Sequence, residues 1–470
     1  MPVQFQGRRL LAGLFLLACA CTTPDPGPPA QPNVLLVSID TLRSDHLGAY
    51  GYDRDTSPVL DRLAAEGALF ESVVASSSWT LPSHTTLLTG LPPELHGVDT
   101  SEERLLTEAT TLAEVLHERG YATAGFASGP YLRAMYGHDQ GFDTYDESTV
   151  WPEDDIHRKP TSPQLETLAV NWLDAWHVKE DEKPFFVFLH MWDPHYDFSP
   201  PPPYDIMFDP EYEGTVTGDD FAGTDQVHKD MAARDLEHVL ALYDGEIRYT
   251  DEHLGRILAA LERLGVYDDT IVVVTSDHGE EFFEHGKKGH SKGLYDEVVK
   301  IPWVVRYPRR IPAGQRIGNQ VRSMDVAPTI LGLAGIEPPQ GFGSGSANPY
   351  REHDLSGWIT GARKVASFPD LTAFSHETMW AHRVSVQTPK QKLIVIRTPK
   401  GRTVEFYDLA NDPGEKQDLT AGGPVQGKGR ALLGSLRAWD QHWKGRAPLS
   451  APIELDPKHV EQLRALGYVE

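Results

Sequence analysis

Asp40 follows the apolar run Val34–Ile39 (VLLVSI), and Asp277-His278-Gly279-Glu280 follows a second run, Ile271–Thr275 (IVVVT). Both runs have the length and β-branched content of strands buried on two faces. In a parallel sheet, strand ends distant in sequence lie side by side, so Asp40, Asp277 and His278 can converge on one cation. Two carboxylates and an imidazole suit Mn, Zn, Mg or Ca in different degrees. Between the two runs lies Ser78–Gly90 (SWTLPSHTTLLTG), crowded with hydroxyls. Pro82 is expected to interrupt a helix until the residue after it. A hydroxyl at the amino end of that helix can touch the metal, lose its proton more easily and attack an electrophile whose oxygens face helix N–H groups. The plain alternative is a Ser/Thr helix cap.

The surrounding pattern supplies the elements that would position these groups. Ser57 and Pro58 open a helix with an apolar stripe at Val59, Leu60 and Leu63, and Gly67 can stop it. Thr111 and Glu114 form a capping box before Leu112, Val115 and Leu116, and Gly120 leads into the strand-like Tyr121–Phe126. Phe185–Leu189 is another buried-strand candidate, while Arg234–Leu264 has helical periodicity, as one helix or two. Strands alternating with amphipathic helices predict an α/β fold with a doubly wound, mostly parallel sheet. A further helix is expected over Asp325–Ala334. Beyond it, Lys392–Arg397 and Thr403–Asp408 suggest a small antiparallel sheet.

Composition narrows the function classes. The chain has 470 residues with 43 Lys plus Arg against 68 Asp plus Glu, a formal net charge of −25. With no Lys/Arg-rich run to displace counterions from phosphates, a nucleic-acid partner is not expected. The two cysteines, Cys19 and Cys21, rule out a disulfide framework or a Cys-rich metal site in the body of the chain. Arg8 and Arg9 precede nine apolar residues, Leu10–Ala18, which is a signal-peptide layout and too short for a permanent membrane span. Leu16-Leu17-Ala18-Cys19 resembles a bacterial lipoprotein cleavage box, with Cys21 as the alternative anchor. The expected organisation is a signal peptide over 1–18, a lipidated Pro-rich tether over 19–32, a catalytic α/β domain over 33–336 and an α+β subdomain over 337–470. Such a chain would be exported and membrane-anchored, in the periplasm or at the cell surface, or else secreted.

Taken in order, several segments resemble the sulfatase family within the alkaline-phosphatase-like metallohydrolases. They are Asn33–Tyr52 (NVLLVSIDTLRSDHLGAYGY), Thr80–Gly90 with His96-Gly97, Trp192-Asp193-Pro194-His195, Ser276–Glu280, Leu294–Pro302, Phe406–Leu419 and Leu466-Gly467-Tyr468. The resemblance implies a divalent metal at Asp40, Asp277 and His278, and Thr80 as a nucleophile whose oxygen also touches that metal. It implies substrate contacts from His84, His195 and Lys292, with His290 or Lys292 as electrostatic clamp or general acid. A second metal would draw on Asp193, His195 and His290.

The departures from the family pattern weigh as much. The family's C/S-x-P-S-R, whose first residue is oxidised to formylglycine, reads Thr80-Leu81-Pro82-Ser83-His84 here. Threonine would oxidise to a ketone, so no formylglycine is expected. Paired acidic residues after the first strand appear as Asp40-Thr41, and a sulfate-holding Lys and His are replaced by Ala127-Ser128-Gly129-Pro130. Relatives with a threonine nucleophile act on phosphodiesters or transfer phosphoethanolamine. The implied activity is metal-dependent hydrolysis of a sulfate or phosphate ester. The alternatives are a phosphodiesterase or phosphoryl-type transferase, and a non-catalytic cell-surface binder of sulfated or phosphorylated glycans.

Overall fold

The computed structural model describes residues 1–2, 31–150, 160–179, 183–219, 221, 226–339, 342, 354–420, 423–446, 448–466 and 468. Cys19, Cys21 and the expected signal and tether segments lie outside these residues, apart from 1–2 and 31–32. The centre is an eight-stranded sheet of β1 (Asn33–Ile39), β2 (Ala68–Val74), β3 (Ala122–Ala127), β4 (Thr144–Asp146), β5 (Phe185–Met191), β6 (Thr270–Ser276), β7 (Lys300–Arg306) and β8 (Gln315–Arg322), in the order β8-β2-β7-β6-β1-β5-β3-β4. Only β7 runs antiparallel to its neighbours. This is the doubly wound, mostly parallel sheet that the alternation of strands and helices predicts.

Alternate residues of β1 serve opposite faces of the sheet, which is why the run is apolar throughout. Val34 and Leu36 pack with α2 (Thr80–Thr89), α3 (Leu112–Glu118) and α6 (Val326–Ala334). Leu35 and Val37 pack with α1 (Pro58–Glu66), α4 (Ser162–Val178) and α5 (Ala233–Arg263). At about 1.5–3 kcal/mol for each fully buried large aliphatic side chain, these two layers supply most of the drive for folding.

The expected capping box at Thr111 and Glu114 is present. The region read as one helix or two is a single helix, α5. Ser57 precedes α1 without a side-chain cap; instead Asp251 of α5 accepts from the Val59 and Leu60 backbone N–H groups at 2.8 and 3.0 Å. Helix α2 starts at Thr80 and runs through Pro82. Pro82 therefore does not delay the helix: it occupies the first turn, where a backbone N–H has no intrahelical partner to lose.

The small antiparallel sheet has four strands, β9 (Ala373–Glu377), β10 (His382–Thr388), β11 (Gln391–Thr398) and β12 (Gly401–Tyr407), in sequence order. Helix α7 (Gly427–Trp443) covers it, with Trp439 stacked 4.1 Å from Phe374. This sheet reaches the centre of the molecule. Ser77 Oγ donates to the His376 carbonyl at 2.7 Å and Ser375 Oγ to that of Ala75, so β9 braces the segment entering α2. The final described helix is α8 (Pro457–Ala465). Among the described residues, no helix is long and apolar enough to cross a membrane.

Candidate active site and metal centre

Register sets the site. Ile39 of β1 pairs with Met191 of β5 and Ser276 of β6, so Asp40 and Asp277 emerge together beyond the strands' carboxyl ends. Asp40 N–H continues the ladder to Met191 O at 2.9 Å. Thr41 turns the chain with φ 53°, and its backbone N–H donates to Asp277 Oδ1 at 3.3 Å. Tyr243 of α5 fixes this turn by donating to Thr41 O at 2.8 Å and accepting from Arg43 N–H at 3.0 Å.

The structure brings Asp40, Thr80, Asp277 and His278 to one point, all buried. His278 Nδ1–H donates to Gly279 O at 2.9 Å. Its Nε2 lone pair therefore faces Asp277 Oδ2 at 3.2 Å, Thr80 Oγ1 at 3.3 Å and Asp40 Oδ1 at 3.8 Å. Asp277 Oδ2 and Asp40 Oδ1 are buried and accept no hydrogen bond. Burial raises the proton affinity of both carboxyls. At Asp40 the His190 hydrogen bond and the charges of His195, His190 and His278 outweigh it and bring the pKa down to about 2. At Asp277 burial and the Asp40 charge prevail and hold it up at about 6. Orphaned oxygens opposite an imidazole lone pair are a donor set that fits a divalent cation.

His190, at the end of β5, is the residue that sequence reasoning passed over. Its Nδ1 lies against Ser128 O, and Ser128 Oγ donates to His190 O at 2.5 Å. Its Nε2 then lies 3.2 Å from Asp40 Oδ2. The available signal was an imidazole ending the apolar run Phe185–Leu189, one strand away from Asp40.

His84, expected at the substrate, is fully buried behind Thr80, donating from Nδ1 to Thr80 O and accepting at Nε2 from Ser38 Oγ, both at 2.9 Å. One expectation is corrected. Asp193 does not join His195 and His290 around a second metal. Its carboxylate accepts from Thr161 N–H, Thr161 Oγ1 and Ser162 N–H at 2.6–2.8 Å, closing the start of α4.

His195 and His290 do meet, with ring centroids 5.0 Å apart, and His290 lies 4.4 Å from the His278 ring. Trp192 stacks on His195 at 3.8 Å. Beside them a cavity of about 450 Å³ opens between Tyr196, His290, Lys292, Trp380, Arg383 and Tyr468. Lys292 is half-buried on its wall; burial lowers its pKa, opposed by the charges of Glu280 and Glu281. The arrangement joins a cation-binding set, a hydroxyl at a helix amino terminus and a basic cavity with aromatic walls. It suits the transfer or hydrolysis of an anionic ester.

The sequence model of the sulfatase family matches residues 32–336, about two thirds of the chain, and that of the N-sulphoglucosamine sulphohydrolase C-terminal region matches 284–430. The chain belongs to the sulfatase family. Among its relatives is an N-acetylglucosamine-6-O-sulfatase of Bacteroides thetaiotaomicron, 24% identical over 93% of this chain and 91% of that protein. An ulvan-active sulfatase of Formosa agariphila is 25% identical over 87% and 82%. A structure solved in complex with its substrate D-glucosamine-2-N,6-O-disulfate superposes with TM-score 0.70 at 21% identity, covering 89% of this chain and 99% of that one. The phosphonate monoester hydrolase of Agrobacterium radiobacter gives 0.69 at 23%, covering 91% and 99%. This sulfatase-family chain is a hydrolase of the sulfuric-ester class.

Proposed function

We propose that the protein is a metal-dependent hydrolase of sulfate or phosphate esters in which Thr80 itself is the nucleophile and no formylglycine forms. The observation that carries this reading is the position of Thr80 Oγ1, at the amino terminus of α2 and 3.3 Å from His278 Nε2, beside the unpartnered oxygens of Asp40 and Asp277. Asp40, Asp277, His278 and the Thr80 hydroxyl would hold the cation, whose charge favours the alkoxide and attracts the ester's anionic oxygens when it is bound. The Thr80 O–H donates toward His278 Nε2, which keeps the oxygen's lone pairs turned away from that ring. The first-turn N–H groups of α2 receive the anion. Attack by Oγ1 expels the alcohol and leaves an ester on Thr80, which water then cleaves. His195 and His290 would relay a proton to the departing oxygen, and Lys292 would supply positive charge on the cavity wall.

Sulfated amino sugars are the substrates named for two of the relatives, and a basic cavity bearing Trp380 is compatible with such a ring. The phosphoester reading is favoured by the threonine and by Ala127-Ser128-Gly129-Pro130 in place of a sulfate-holding Lys and His. A panel of 4-nitrophenyl sulfate, 4-nitrophenyl phosphate and bis(4-nitrophenyl) phosphate with Mn, Zn, Ca or Mg decides between them. Metal-dependent binding of these esters without turnover would instead favour the cell-surface binder.

Residues 1–18 would direct export, Cys19 would carry the lipid, and the stretch to residue 32 would tether the globule to a membrane. Radiolabelled palmitate incorporated by the wild type and lost in Cys19→Ala is the expected result, with Cys21→Ala as the comparison.

A further inference from the structure

The strongest relationship that the proposed function leaves unused joins the two histidines to a residue far along the chain. Tyr468 is 4% exposed, and its hydroxyl lies 2.8 Å from His195 Nε2 and 2.8 Å from His290 Nε2. The segment bearing it is well anchored. Tyr468 N–H donates to Leu463 O at 2.8 Å, Tyr196 O–H donates to Leu466 O at 3.3 Å, and the Tyr468 ring meets Tyr131 edge-on at 4.8 Å. Tyr131 in turn packs against Trp79, the residue before Thr80. Leu463 and Leu466 are buried in the same apolar cluster as Trp79 and Leu81.

Counting protons fixes what the bridge does. His195 Nδ1–H donates to Tyr196 O at 2.7 Å, so a neutral His195 has only a lone pair at Nε2 and must accept there. The phenol owns one proton and gives it to His195. Its oxygen can then only accept from its second partner, so His290 must carry hydrogen on Nε2. His290 Nδ1 then accepts from the Glu280 carboxyl at 3.1 Å, whose proton affinity is raised by burial and by the Asp40 charge. One hydroxyl thus imposes opposite tautomers on two adjacent rings.

We propose that Tyr468 is a positioning residue of the active site, holding His195 in the Nδ1–H form and His290 in the Nε2–H form through its hydroxyl. The two rings then cease to be interchangeable: His195 keeps its hydrogen on Nδ1 toward Tyr196 O, and His290 keeps its hydrogen on Nε2 toward the phenol. Helix α8 is accordingly part of the machinery: it delivers a polar group that no residue of the large sheet supplies. The inference rests on the reading that His195 and His290 act on the ester, and its test separates the two.

The test uses the full chain. Long-range 1H–15N correlation of labelled histidines reads the tautomers with no substrate present. Tyr468→Phe keeps the ring and its Tyr131 contact; it is expected to shift the His195 and His290 nitrogens toward tautomer averaging while the other histidines hold still. With whichever ester of the panel is turned over, kcat is expected to fall about tenfold, the scale of one lost hydrogen bond, with KM changing by less than about twofold. In a His195→Ala background, adding Tyr468→Phe is expected to cost less than it does in the wild type, because only the His290 bond is left to lose. If only packing mattered, Tyr468→Phe would match the wild type and Tyr468→Leu alone would lose turnover. That pattern, unchanged nitrogen resonances in Tyr468→Phe, or losses that multiply in the double variant would each overturn the proposal. If the wild type turns over no ester, the functional reading fails, and the nitrogen resonances alone still decide whether Tyr468 sets the tautomers.

Discussion

His278 Nε2 lies 3.2 Å from Asp277 Oδ2 while the ring's only other nitrogen is committed to Gly279 O, so two electron pairs face each other beyond the end of β6. The Thr80 O–H reaches the imidazole lone pair from one side at 3.3 Å, but Asp277 Oδ2 and Asp40 Oδ1 accept no hydrogen bond. A divalent cation relieves the opposed pairs. Dialysed protein is expected to gain thermal stability on addition of Mn or Zn, by about 2.7 kcal/mol at a hundredfold excess over Kd. Asp277→Asn and Asp40→Asn are expected to lose most of that gain, as read by calorimetry with and without metal.

His190 is the second site residue to test, because its Nε2 is 3.2 Å from Asp40 Oδ2 and its orientation is fixed from behind by Ser128. Partners of this kind orient a ligating carboxylate. His190→Ala is therefore expected to weaken metal binding by about 10- to 100-fold in a competition titration with a chelator. Affinity equal to the wild type would remove His190 from the centre.

Asp193 separates one metal from two. With its carboxylate given over to Thr161 and Ser162, Asp193→Ala is expected to cost about 2 kcal/mol of stability, the upper range for a lost helix cap. Metal stoichiometry, measured by elemental analysis, is expected to stay at the wild-type value. A halved metal content would restore Asp193 as a ligand.

Acid is expected to loosen α8. His459 accepts from Arg133 at Nδ1 (3.2 Å) and donates from Nε2 to Tyr136 (2.9 Å), an arrangement that needs the neutral ring. Burial, helped by the Arg133 charge and opposed by Asp456, brings its pKa down to about 4 from an unfolded value near 6.5. In that window the unfolded chain binds a proton that the folded chain does not. The contribution is therefore complete above pH ~6.5 and lost as pH falls toward ~4. His459→Gln is expected to flatten the pH dependence of the melting temperature across this window. An unchanged slope would contradict the assignment.

Much of this was legible in the sequence because it depends on local rules. The runs before Asp40 and Asp277 read as buried strands, and parallel register brings their ends together without further information. The capping box at Thr111 is a four-residue pattern and needed no tertiary knowledge. What was not legible depended on partners far away in sequence. His190 looks like the end of a strand until Asp40 is beside it, Asp193 looks like a ligand until Thr161 and Ser162 take its two oxygens, and nothing local says that Ser38 and the Thr80 carbonyl hold His84. Strands β9 and β10 were missed because β9 has only Ala373 and Phe374, and β10 only Val384 and Val386, as apolar residues, too few to form a run. Leu466-Gly467-Tyr468 was matched as a family ending, but nothing in those three residues says that the phenol lies between two active-site histidines.

The account turns on Thr80. The most direct measurement compares release of 4-nitrophenol from the sulfate and phosphate ester panel by the wild type, Thr80→Ser and Thr80→Ala, each carrying the same metal and melting at the same temperature. The expected result is turnover by the wild type, retained in reduced measure by Thr80→Ser, and lowered at least about 10³-fold in Thr80→Ala, as follows from removing the attacking atom. Equal rates in the wild type and Thr80→Ala would contradict it.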